Sequence, residues 1–131
     1  MPPEGAFSGS PADWLRHARS DLELARVGRS ERILLEGLCF HAQQAAEKAL
    51  KAALVAMGLR FPKTHSIRAL LDLFPPALAP PPEVEQAARL SDYAVWSRYP
   101  GSQEPVGEDE YLEALRLAAA VVHWSESIVP A

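Results

Sequence analysis

Apolar residues recur along this chain at three- and four-residue intervals, the period of a helix with one buried face. Proline, glycine and capping residues cut that pattern into five segments. Ser10 placed to cap, Pro11 at the first helical position and Asp13 in the first turn predict a helix from about Pro11 to Val27, stopped by Gly28. Ser30 predicts the cap of a second helix, in which Leu34, Leu38, Ala42, Ala45, Ala49, Ala52 and Ala56 line up as an inner face as far as Gly58. This longest segment is the expected spine of the fold. Thr64-His65-Ser66 predicts the cap of a short third helix carrying Ile67, Leu70, Leu71 and Phe74, closed by Pro75 and Pro76. After the proline-rich connector Ala77 to Pro82, the residues Pro82, Glu83 and Glu85 open a fourth helix reaching Trp96. Ser97 to Gly107 reads as loop. Glu108, Asp109 and Glu110 open a fifth helix that runs to about Ser127, with Tyr111, Leu112, Leu115, Ala118, Ala119 and Val122 as its expected buried face. No run alternates as a strand would, so the expected class is all-α: one domain over residues 11–127, between tails 1–10 and 128–131.

One stretch departs from simple amphipathicity. In Phe40-His41-Ala42-Gln43-Gln44-Ala45-Ala46-Glu47-Lys48-Ala49-Leu50-Lys51, the side chains of His41, Gln44, Lys48 and Lys51 fall within an arc of roughly 80° at about 100° per residue. Alanines and leucines occupy the opposite side. A solvated face with a Glu47–Lys51 pair at i, i+4 would account for the charges. As a groove, the same stripe would offer Lys48 and Lys51 to phosphate and Gln44 to a base or sugar. Phe40 lies outside the main apolar arc, as do Leu54 and Val55; Phe40 is expected to cover a second copy of the chain or the fourth helix, and the three together point to a homodimer.

A chain of 131 residues buries a core without metal or disulfide support. Cys39 is its single cysteine, and no Cys/His cluster has metal-ligand spacing, so neither a disulfide framework nor a metal is expected, and a reducing compartment fits. No apolar run approaches the roughly 18 residues that span a membrane, and Met1-Pro2-Pro3-Glu4-Gly5 lacks the layout of a signal peptide. The expectation is a soluble, cytoplasmic protein. A net charge of -4 argues against broad electrostatic wrapping of nucleic acid and leaves only a local patch for it. Ten arginines among thirteen basic residues, no asparagine and twelve prolines resemble the usage of a thermophile or a high-GC genome.

The long helix with His-Ala-Gln-Gln-Ala-Ala-Glu-Lys-Ala-Leu-Lys, then Lys63-Thr64-His65-Ser66, then Tyr93 followed by Arg98-Tyr99-Pro100-Gly101, closely resembles the HEPN domain (higher eukaryotes and prokaryotes nucleotide-binding) over about Ala12 to Ser127. The resemblance implies an up-and-down four-helix bundle with one additional short helix. It also implies nucleotide binding, homodimers, partnership with a small nucleotidyltransferase and, in some branches, RNA cleavage by toxins. Ser97 stands where the family commonly has threonine.

The ribonuclease branches carry an Arg followed after four to six residues by a His, the imidazole for acid-base chemistry and the guanidinium for phosphate. Arg116 and His123 have that spacing on the last helix. Arg60 and His65 have it too, but in a loop between helices. Ten arginines and four histidines make such a spacing common by chance, and Val121, Val122 and Trp124 around His123 predict a structural histidine at the core edge. At the turn after the fourth helix, Arg98 can pair with phosphate and Tyr99 can stack on a base, or the two can pack and pair within the bundle. His65 is expected to cap or pack its loop; if functional, it and Lys63 sit near the far end of the second helix. The candidate ligand-binding set is therefore His41, Gln44, Lys48, Lys51, His65, Tyr93, Arg98 and Tyr99, with no cofactor. The chain has no Gly-rich phosphate loop and no transferase motif. The favoured expectation is a non-catalytic module that binds a nucleotide or nucleic-acid phosphate and partners a separate nucleotidyltransferase in a toxin–antitoxin-like pair. The alternatives are a metal-independent ribonuclease toxin using Arg116 and His123, and a structural adaptor whose stripe meets another protein.

Overall fold

The computed structural model describes residues 9–96 and 105–130. Helix α1 (Pro11–Ala25) begins in a capping box: Ser10 Oγ accepts from the Asp13 amide at 3.1 Å, and Asp13 Oδ2 accepts from the Ser10 amide at 3.2 Å. Helix α2 (Leu35–Ala56) runs back along it and ends in a Schellman motif. There the Leu59 amide reaches the Leu54 carbonyl at 2.9 Å and the Gly58 amide reaches Val55 at 3.0 Å. That closure needs the positive φ of 73° at Gly58, which glycine adopts without a Cβ penalty. The short α3 (Ile67–Leu71) is capped by Ser66 Oγ, which accepts from the Ala69 amide at 3.1 Å. After a 3-10 turn over Pro76–Leu78 come α4 (Pro82–Glu85), a 3-10 stretch over Gln86–Asp92 and α5 (Tyr93–Trp96). The last helix, α6 (Glu108–Ile128), closes the bundle.

Packing centres on α2, which lies against both α1 and α6. Ala42, Ala45, Ala46, Ala49, Ala52 and Ala53 are all fully buried. Their small side chains admit neighbouring backbones so closely that the Ser125 hydroxyl of α6 donates to the Ala49 carbonyl at 2.7 Å. The Tyr111 hydroxyl donates to the Ala25 carbonyl, and these two bonds fix the rotation of α6 about its own axis. The structure is all-helical in its described residues, as the periodicity implied.

Four details differ from the expectation. Ser30 does not cap α2: its hydroxyl accepts from the Arg32 amide at 3.3 Å in a local turn, α2 starts five residues later, and Leu34 is 72% exposed rather than internal. Pro82 to Trp96 is not one α-helix. Its buried residues Val84, Ala87, Leu90 and Tyr93 recur every third position, which suits the three-residue turn of a 3-10 helix. On α6 the inner face is Tyr111, Ala114, Leu117, Ala118, Val121, Val122 and Ser125, whereas Leu112 is 52% exposed. Leu54 belongs to the core, and Phe40 and Val55 are half-buried, because α2 is covered on nearly every side.

Leu50→Ala should cost about 2–5 kcal/mol in urea denaturation, since Leu50 is fully buried in this core. Leu34→Ala should stay within about 0.5 kcal/mol.

Candidate functional site

The polar stripe of α2 faces the protein, not the solvent. Asp21, on the inner side of α1, is 7% exposed and sits between two of the stripe's residues. Its Oδ1 lies 3.1 Å from His41 Nδ1 and its Oδ2 lies 2.7 Å from Lys48 Nζ. One turn further on, Glu47 does the same for the next pair. Its Oε1 lies 2.9 Å from His65 Nδ1, and its Oε2 accepts from Lys51 Nζ at 2.8 Å. Gln43, fully buried, adds a bond to Glu47 Oε1 at 2.9 Å and another to the His65 carbonyl at 3.3 Å. Lys51 Nζ also lies 5.5 Å from the ring centre of Trp14 and 5.4 Å from that of Phe61, within cation–π range.

Each cluster thus joins one carboxylate, one imidazole and one ammonium. An ionised carboxylate only accepts, so each histidine donates through Nδ1, and in the neutral ring the lone pair is then on Nε2. Burial pushes the Glu47 carboxyl up, but hydrogen bonds from Lys51, Gln43 and His65 outweigh it and hold the group below the ordinary glutamate range. The cost of burying these charges is met only because every one is paired.

These contacts place the candidate residues. Lys51 is interior, Lys48 is paired with Asp21, and a phosphate would have to displace a carboxylate to reach either. Gln44 is half-buried, and its Oε1 has no hydrogen-bond partner among the described residues. His41 is 35% exposed and His65 57% exposed at the side chain. Tyr93 lies apart from them: it is buried and donates to Glu110, and burial followed by that bond pushes its phenol well up. Beside it, burial and the charge of Glu110 push the Cys39 thiol up to about 12, which makes it a poor nucleophile. Arg98 and Tyr99 lie outside the described residues. Glu47 was legible as a partner of Lys51, though as a surface one. Asp21 was not identified, yet an acidic residue set among Leu15, Ala18, Leu22 and Ala25 on an inner helical face is a signal for a buried pair.

His123 is not at the core edge: its side chain is 92% exposed, 4.0 Å from Glu126 Oε1. Arg116, on the same face of α6, pairs with Glu113 and approaches Gln86 Oε1 at 3.3 Å. Next to His123, a groove of about 380 Å³ runs between α1 and α6, with Arg19, Leu22, Arg26, Val122, His123 and Glu126 among its lining residues. A second cavity of about 340 Å³ lies beside Tyr93 and is lined by Arg89, Asp92, Glu110 and Glu113 among others. Among the described residues no cluster of His, Cys, Asp or Glu has the makings of a metal site, and no helix is long and apolar enough to cross a membrane.

The bundle is alanine-seamed, and carboxylates from α1 and α2 pair with the cations of its long helix. The HEPN domain family model aligns with residues 11–128, and the chain belongs to that family. It is similar to the solved structure of TT1696 from Thermus thermophilus, with 34% identity and a TM-score of 0.75, over 91% of this chain and 98% of that one. It is also similar to ST0689, an archaeal HEPN homologue, with 29% identity and a TM-score of 0.69, over 91% of this chain and 97% of the other. Comparison with curated proteins gives no match.

The lowered carboxyl of Glu47 gives a pH dependence with a defined sign. A group whose folded pKa lies below its unfolded value contributes stability that is present above the unfolded value, about 4.3, and is lost as pH falls through the folded one. The stability difference between wild type and Glu47→Gln, measured by urea denaturation, should therefore be greatest near neutral pH and shrink below about pH 4.

Proposed function

We propose that this chain is a HEPN module that binds a nucleotide or nucleic-acid phosphate, as a homodimer in the cytoplasm working beside a separate small nucleotidyltransferase, in a toxin–antitoxin-like pair. The observation that carries the phosphate reading is the groove between α1 and α6, where Arg19, Arg26 and His123 converge. Its arginines are held by Glu126 at 2.6 Å and Glu23 at 2.9 Å, with side chains 54% and 49% exposed. Exposed pairs of this kind contribute only about 0–1 kcal/mol, so a phosphate exchanges for the carboxylate at low cost. The cations of α2 offer no such exchange, because their carboxylates are buried with them. Membership of the family supports the nucleotidyltransferase partner, and the chain's lack of a Gly-rich phosphate loop fits transfer chemistry supplied by another subunit.

One observation favours a ribonuclease as the second reading. The exposure of His123 gives its imidazole the solvated approach that a general base needs, and Arg116 stands two turns away on the same face. Calorimetric titration of the protein with nucleoside mono-, di- and triphosphates tests the first reading. Affinity should rise with phosphate number, and Arg19→Ala or Arg26→Ala should weaken it by roughly tenfold, as expected for loss of one charge-assisted bond. No heat with any nucleotide would leave the module without its ligand. Cleavage of RNA that disappears in His123→Ala would replace this reading with the second.

A further inference from the structure

We propose that His65 is a phosphoryl-acceptor histidine, presented to donors outside the bundle through Nε2. Its Nδ1 is fixed 2.9 Å from Glu47 Oε1. The other oxygen of that carboxylate is fixed by Lys51, and Gln43 holds both Glu47 and the His65 carbonyl. Ring and backbone are therefore held together, and the carboxylate that orients the ring is 4% exposed while the imidazole is 57% exposed. With Nδ1 donating inward, the nucleophilic lone pair sits on Nε2. Holding the loop does not require this ring. Ser66 is already bonded to Thr64 at 3.0 Å, the Ile67 amide donates to Ser91 Oγ at 2.8 Å, and Gln43 grips the backbone.

The step balances with a phosphoryl donor of high transfer potential. The Nε2 lone pair attacks phosphorus, an N–P bond forms, and the bond from phosphorus to the donor's leaving group breaks, so that group departs with the electron pair. The imidazole keeps its Nδ1 proton throughout, and the positive charge it gains faces Glu47, which supplies the compensating negative charge.

Two other histidines serve as internal controls. His41 has the same inward geometry on Asp21 but is only 35% exposed. His123 is 92% exposed but lies 4.0 Å from a carboxylate whose other oxygen is taken by Arg19. If exposure governed reactivity, His123 would react first; if orientation by a buried carboxylate governs it, His65 does.

Phosphoramidate, incubated with the intact protein, tests this, with sites read by peptide mass spectrometry under alkaline conditions and the attached nitrogen by phosphorus NMR. His65 should react at least roughly tenfold faster than His123, at Nε2, reflecting the gain from an oriented carboxylate partner. Glu47→Gln should bring the His65 rate down to that of His123 and leave His123 unchanged. The wild-type ranking stands even if this variant is too unstable to measure. Modification of His123 ahead of His65, or attachment to His65 through Nδ1, would overturn the proposal.

Discussion

Helix α2 is buried along most of its length, and the charged side chains it buries there must find partners. An unpaired charge in a protein interior costs several kcal/mol, a large part of a domain's net stability. Two carboxylates resolve the problem. Asp21 reaches across from α1 to His41 and Lys48, while Glu47 collects Lys51, Gln43 and His65. The first fixes α1 against α2. The second orients the His65 ring, while Gln43, bonded to both Glu47 and the His65 carbonyl, ties α2 to the segment before α3.

The division of labour among the basic residues follows from this. Lys51 sits inside, where its compact ammonium lies within cation–π range of Trp14 and Phe61, and the described arginines that pair with carboxylates do so at the surface. Exposed pairs of that kind are weak and exchangeable. The pairs on the surface between α1 and α6 are among these exchangeable ones, whereas the cations of α2 to which the sequence directs attention are not. In this bundle the charged residues of the α2 stripe are ones that hold it together.

The helical plan was legible because it rests on local signals. Ser10 with Asp13, Ser66, and Gly58 each act within a few residues of their own position, and the alanine seam repeats at helical period. What escaped was tertiary. A helical wheel shows that His41, Gln44, Lys48 and Lys51 share a side, but not that another helix covers it. Leu34 and Leu112 fit an inner face by spacing and are exposed, because the turn at Ser30 and the bonds of Tyr111 and Ser125 set where α2 begins and how α6 is rotated. His123 was misplaced for a related reason: apolar neighbours in sequence lie about 100° away on a helix and say little about burial. The three-residue repeat of Val84, Ala87 and Leu90 was present to be read as a 3-10 signal.

The polar stripe of α2 is an internal linkage. A double-mutant cycle between Asp21 and Lys48, built from Asp21→Asn, Lys48→Met and the combined variant and followed by urea denaturation, tests it most directly. A favourable coupling of about 1–3 kcal/mol is expected, as for contacting residues in one buried network. A coupling below about 0.5 kcal/mol, the level of an exposed pair, would contradict it and return Lys48 to the solvent as a free cation.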